Sequence, residues 1–167
     1  CATTSSGTAT LNFTGLTVGN TYYIRVYTTA SSATNATFTM CVGTPPPPPA
    51  NDECVNAIAF PTIPTDQSCA NVTANTANAT QSVVGCAGTA DDDVWYSFVC
   101  PTGYTSLLFS NTTVSGETDR VTQFYSGSCG SLTSILCSDP ESGTVTGLVG
   151  GQTYYMRIYS YFSSVAT

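Results

Sequence analysis

The chain has 167 residues, a formal net charge of −7, no histidine and only three cationic side chains, Arg25, Arg120 and Arg157. So few cations cannot neutralise a phosphate backbone, which argues against nucleic acid as a partner, and without His or Lys the usual triads, proton shuttles and Schiff bases are unavailable, so the reading is of a non-enzyme. No run of 18 apolar residues is present to form a membrane span, and eight cysteines without histidine for zinc sites indicate an oxidising, extracellular setting.

Taken in chain order, the first predicted element is a strand in LTVGNTYYIRVYTTASS, residues 16–32. Nearly the same sequence returns as LVGGQTYYMRIYSYFSS at 148–164, with Tyr22 and Tyr154 about 132 residues apart. That spacing is the size of a whole domain, so the repeat reads as a tandem array. Residues 1–43 then form the C-terminal part of one β-sandwich, 44–50 a Pro-rich linker, and 51–167 a second sandwich that lacks its last strand. In the first copy, alternation places Tyr22, Ile24 and Val26 on one face and Tyr23, Arg25 and Tyr27 on the other.

The stretch NATFTMCV at 35–42 follows, with Asn35, Phe38, Met40 and Val42 as the residues of a strand donor. It is the strand type expected to complete the second domain, either from another molecule or by continuation of the chain. Five consecutive prolines at 45–49 favour a polyproline II rod of roughly 15 Å, a stiff spacer. Beyond it, VNAIAF (55–60) makes at most one helical turn. Short strands are predicted at 93–99, 105–111, 121–126, 134–138 and 144–148, separated by Gly, Pro and Ser turns. The last strand repeats the alternation, with Tyr154, Met156 and Ile158 against the core and Tyr155, Arg157 and Tyr159 as an amphipathic stripe. That stripe is either a possible surface contact for sugar or protein or a cross-strand stack shielding the sheet. The fold class is all-β: jelly-roll or Ig-like β-sandwich repeats with disulfides, joined by the polyproline linker.

Cys129 and Cys137 bracket a Gly-Ser turn and are expected to pair, closing a short loop worth roughly 2.5 kcal/mol of unfolded-chain entropy. Cys69 and Cys86 are the next expected pair. Partners for Cys1, Cys41, Cys54 and Cys100 stay open, as does glycosylation at the sequons of Asn12, Asn35, Asn71, Asn78 and Asn111.

The ordered series NDECVNAIAF, DDDVWYSFVCP, QFYSGSCGSLTSILCSD and GLVGGQTYYMRIYSY resembles the bacterial pre-peptidase C-terminal (PPC) domains, especially those repeated in large secreted surface proteins of Bacteroidetes. The resemblance covers 51–167 and, for the tail end, 1–43. It implies a jelly-roll-like sandwich, secretion, and service as an accessory module that binds polymers or builds surface structures. Some relatives bind calcium near the domain start, which would carry over to Asn51, Asp52, Asp91 and Asp93, where clustered carboxylates become favourable around a hard cation. Two functions follow: a structural repeat or subunit of an extracellular filament or surface adhesin that associates with itself or with neighbouring repeats, or a calcium-dependent module binding a surface polymer, glycan or protein, beside a secreted hydrolase.

Overall fold

The structure, a computed structural model, describes residues 13, 15–32, 35–44 and 46–163. The chain divides into two units between Pro45 and Pro46, which are treated separately.

The described residues of the second unit form seven strands and one 3-10 turn, Cys54–Asn56. Strands β1 (Ile58–Ala59), β2 (Val94–Val99), β4 (Arg120–Ser128), β5 (Ser131–Ser138) and β7 (Thr153–Ser160) form one sheet in the order β1-β2-β7-β4-β5; β3 (Ser106–Ser110) and β6 (Ser142–Thr146) form a second, two-stranded sheet. No α-helix occurs among the described residues. Every pair is antiparallel except the short β1 and β2. The five strands predicted between residues 93 and 148, and the last strand, all form, because each carries a period-2 apolar pattern that buries one face.

That face is the core. Val94, Tyr96 and Phe98 of β2, Phe124 of β4, and Tyr154, Met156 and Ile158 of β7 cluster with Val145 of the second sheet. Leu107 and Phe109 of β3 pack against the cluster but are only half-buried, and the Phe109 ring lies 5.0 Å from that of Phe124. Among the described residues two strands thus cover a sheet of five, which leaves the sandwich lopsided.

The long segment between β1 and β2 carries no ladder of its own. Its later part, residues 82–90, lies across the opposite face of the large sheet as a strap. Cys86 in the strap is bonded to Cys137 in β5, and Cys54 beside the 3-10 turn is bonded to Cys129. The expected pairs of Cys129 with Cys137 and of Cys69 with Cys86 are therefore corrected. Cys129 occupies the β4–β5 turn while Cys137 is near the far end of β5, and a strand at about 3.3 Å per residue separates them by on the order of 20 Å. The turn itself is forced by Gly127 (φ 96°), where a Cβ would collide with the carbonyl oxygen of Ser131.

In the first unit, local geometry matches its copy closely. Thr17 N donates to Tyr22 Oη at 2.8 Å, as Val149 N donates to Tyr154 Oη at 2.8 Å. Gly19 and Gly151 both have positive φ, 84° and 82°, and the guanidinium of Arg25 lies 5.0 Å from the Tyr27 ring, where Arg157 lies 4.8 Å from Tyr159. The predicted strand is nevertheless absent: residues 21–30 carry no ladder, and Ile24 is 49% exposed where its counterpart Met156 of β7 is 9% exposed. Strand β7 is held between β2 and β4, and the described part of the first unit contains no strand to flank its copy. Turn and side-chain contacts are local and survive alone; the ladder is tertiary.

Each disulfide in the second unit closes a long loop, with sequence separations of 75 and 51 residues. Replacing Cys86 and Cys137 together by Ser should lower stability by about 4 kcal/mol in the loop-entropy picture. A denaturant titration measures it; a loss below about 1 kcal/mol would mean that the strap is held without the bond.

Candidate functional site

The two faces of β7 have different environments, and the outward one is the unusual one. In the ladder, Arg157 stands directly opposite Trp95 of β2 and Gln123 of β4. Arg157 Nη1 donates to Asp93 Oδ2 at 2.8 Å and to the carbonyl of Val83 at 2.7 Å; Nη2 donates to Gln123 Oε1 at 2.8 Å and to the carbonyl of Val84 at 3.0 Å. Asp93 in turn accepts from the backbone N–H and hydroxyl of Ser82, and that hydroxyl also accepts from the Trp95 indole at 2.8 Å. The guanidinium stacks 4.8 Å from the Tyr159 ring and 5.6 Å from Trp95. Arg157, Asp93, Trp95 and Tyr159 are all fully buried. Of the guanidinium donors only Nε has no partner.

Arg157 and Tyr159 are thus not a surface contact. The strap covers Arg157 and Tyr159, and Tyr159 Oη is clamped by it, accepting from the N–H groups of Cys86 and Ala87 and donating to the Ala87 carbonyl at 2.9 Å. Tyr155 is half-buried. Alternation correctly separates two faces, but it does not tell whether a loop later covers the second one.

The acidic residues are used in the same way. Asn51 Nδ2 donates to the carbonyl of Trp95 at 2.9 Å and the Asn51 carbonyl accepts from Trp95 N at 2.8 Å, which ties the chain entering the unit to β2. Asp52 accepts from the backbone N–H and hydroxyl of Thr80. Asp92, not expected as a site residue, is buried and takes both the N–H and the hydroxyl of Ser160 at the end of β7, at 2.8 and 2.7 Å. Burial pushes the carboxyls of Asp92 and Asp93 above their ordinary range, against the opposing hydrogen bonds from Ser160 and Ser82, and at Asp93 also against Arg157.

A calcium site at Asn51, Asp52, Asp91 and Asp93 does not fit this arrangement. A hard cation needs six or more converging oxygens, whereas the Asp93 carboxylate is committed to Arg157 and Ser82, that of Asp52 to Thr80, and the Asn51 side chain presents its amide N–H to Trp95. Among the described residues no three carboxylates or thiols gather as a metal site would require. The triple aspartate is legible in sequence; that Arg157, 64 residues away, supplies the counter-charge is not.

Three cysteines have no disulfide partner in the described residues. Cys100 is buried, its thiol directed at the Tyr104 carbonyl and its pKa pushed up by burial, whereas Cys41 and Cys69 are exposed. The expected strand-donor side chains Phe38, Met40 and Val42 are exposed as well, and residues 35–44 are in no ladder.

Sheet order, strap and disulfides define a disulfide-bonded β-sandwich module whose polar centre ties the strap to the sheet. Residues 50–167 match the family described as galactose binding domain-like, T9SS-associated. The chain belongs to that family, whose association with Bacteroidetes-type secretion makes this a module of a secreted or cell-surface protein and agrees at that level with the resemblance to Bacteroidetes surface domains. Comparison with the curated proteins and with the solved structures finds no match. No helix among the described residues is long and apolar enough to cross a membrane.

Two outcomes follow. Asp93→Asn leaves the Arg157 guanidinium buried without a counter-ion and should cost about 3–5 kcal/mol in a denaturant titration; a change under 1 kcal/mol would show that the pair is not buried in solution. For Asp92, whose Ser160 partners are uncharged, the folded pKa lies above the unfolded value of about 3.9, so the folded state binds more protons in the window between the two, and its contribution to stability grows as pH falls through it. Exposed Asp66 and Glu117, lowered by hydrogen bonds from Ser68 and from the Asp119 and Thr118 backbone, act in the opposite sense but are solvent-screened. Melting temperature at pH 5 should therefore equal or exceed that at pH 7, and a clear fall would contradict the assignment.

Proposed function

We propose that the chain is a structural repeat of an extracellular filament or surface adhesin whose β-sandwich units are joined by strand complementation. One observation carries the reading: among the described residues a five-stranded sheet is faced by two strands, while residues 35–42 offer an unladdered strand sequence with three exposed apolar side chains. An open sheet edge over a half-covered core is costly in water and is relieved by adding a strand, whose main-chain bonds give affinity and whose alternate side chains enter the core. Phe38, Met40 and Val42 are on one face of such a strand. They would extend the layer of Leu107 and Phe109. Since residues 35–42 follow the copy of β7, the acceptor of matching kind is a unit that contains β7.

The alternative, an accessory module that binds a glycan, draws support from the family description and from an open cleft over the large sheet bordered by Val83, Val84, Gln123, Tyr125 and Leu132. Binding of galactose-containing polymer that is lost in Gln123→Ala would favour it.

Sedimentation of the Cys41→Ser chain in non-reducing buffer, which keeps both internal disulfides intact, tests the strand reading. Concentration-dependent association is expected, weakened about a hundredfold by Phe38→Ser with Met40→Ser, since two buried side chains contribute at least about 1.5 kcal/mol each. A monomer at every concentration, or a variant indistinguishable from the parent, would reject it.

A further inference from the structure

We propose that the strand joint is covalently locked: residues 35–42 of one copy dock on the two-stranded sheet of a second copy, and a disulfide forms between Cys41 of the first and Cys69 of the second. The inference rests on the strand-complementation reading and names its partner and its closure.

The cysteine inventory points to this pair. Cys54, Cys86, Cys129 and Cys137 are bonded among themselves, and Cys100 is buried in the core cluster. Cys1 is the counterpart of Cys137 in the repeat, whose partner is Cys86, so Cys1 matches a Cys86-type thiol rather than Cys41 or Cys69. Of the cysteines in this sequence, Cys41 and Cys69 remain, both exposed. In an oxidising compartment two exposed thiols do not persist as such.

Geometry agrees. With Phe38, Met40 and Val42 turned to the core, alternation turns Thr37, Thr39 and Cys41 to the outer face of the added strand. Cys69 begins a stretch that is likewise exposed: among the described residues, 66–75 make no backbone-to-backbone hydrogen bond, and Cys69, Asn71 and Thr73 are all exposed. Residue 65, just before it, is tied to the start of β3, since Tyr104 Oη donates to the Thr65 carbonyl at 3.1 Å. The same end of the unit holds Cys100 and the β3 entrance at residues 104–106. A strand added after a β7-type strand starts at the Ser160 end and returns toward the Val99 end, because β7 and β2 are antiparallel with Val99 opposite Thr153. Cys41, the seventh residue of the eight in NATFTMCV, would arrive at the end where Thr65 meets Tyr104, four residues before Cys69.

Chemically the step is thiol–disulfide exchange. One thiolate attacks a small disulfide such as oxidised glutathione, releasing one glutathione thiol; the second cysteine then displaces the other, so two protein thiols are oxidised and one disulfide is reduced to two thiols.

The test mixes equal amounts of 15N-labelled and unlabelled chain in a glutathione redox buffer, digests without reduction and identifies linked peptides by mass spectrometry. A peptide joining Cys41 to Cys69 in mixed-isotope form is expected. The proposal is overturned if that linkage occurs only in same-isotope pairs, which would place it within one chain, or if either thiol stays free, carries glutathione, or bonds elsewhere. Cys41→Ser separates lock from joint: the covalent dimer should vanish while reversible association in non-reducing buffer, with both internal disulfides intact, persists. A covalent dimer retained through Cys69 in that variant refutes the pairing. Absence of association in the Cys41→Ser chain under those conditions refutes the strand reading beneath it.

Discussion

The buried guanidinium of Arg157 is the constraint on which the second unit depends. Fixed in the central strand β7, it reaches both neighbouring strands through Trp95 and Gln123 and, through Asp93, Val83 and Val84, holds the strap that covers it. An unpaired charge in this position would be expelled toward water. The sheet, the strap and the approach to β2 therefore form together or not at all, and the bond from Cys86 to Cys137 limits how far the strap can depart in the unfolded chain. A module used under tension gains from such an arrangement, because pulling on either end must break a desolvated polar cluster rather than peel one edge.

Charge placement fits an exposed life. Of the three arginines, Arg157 is internal and Arg120 is occupied by Thr113 and the Glu117 carbonyl. The second unit therefore shows solvent few cations beside its carboxylates. Acidification mainly removes negative charge and, with no histidine and three arginines, cannot build the positive self-repulsion that drives acid unfolding of more basic proteins.

Much of the fold was legible in the sequence because period-2 patterns around Tyr96, Phe124 and Tyr154 are short-range and strong. The disulfides were not. Pairing depends on the course of the long segment before β2, and nothing local to Cys54 or Cys86 records which turn each will meet. The Tyr-Arg-Tyr stripe was half legible: the face was right, its exposure wrong, because the covering strap is distant in sequence. Asn51, Asp52, Asp92 and Asp93 stood out for a sound reason, as part of a polar cluster in a charge-poor chain, yet their hydrogen-bond partners Trp95, Thr80, Ser160 and Arg157 are distant in sequence. The first-unit copy adds the converse lesson, since its turn forms as in β7 and its ladder does not.

Native-state hydrogen exchange tests most directly whether Arg157 joins strap and sheet into one cooperative unit. The amides of Ser82, Cys86 and Thr89, bonded to Asp93, Tyr159 and Tyr161, should open with the same free energy as those of β7, and both should fall together in Asp93→Asn. Strap amides that exchange through a separate, low-energy opening while β7 stays protected would contradict the account.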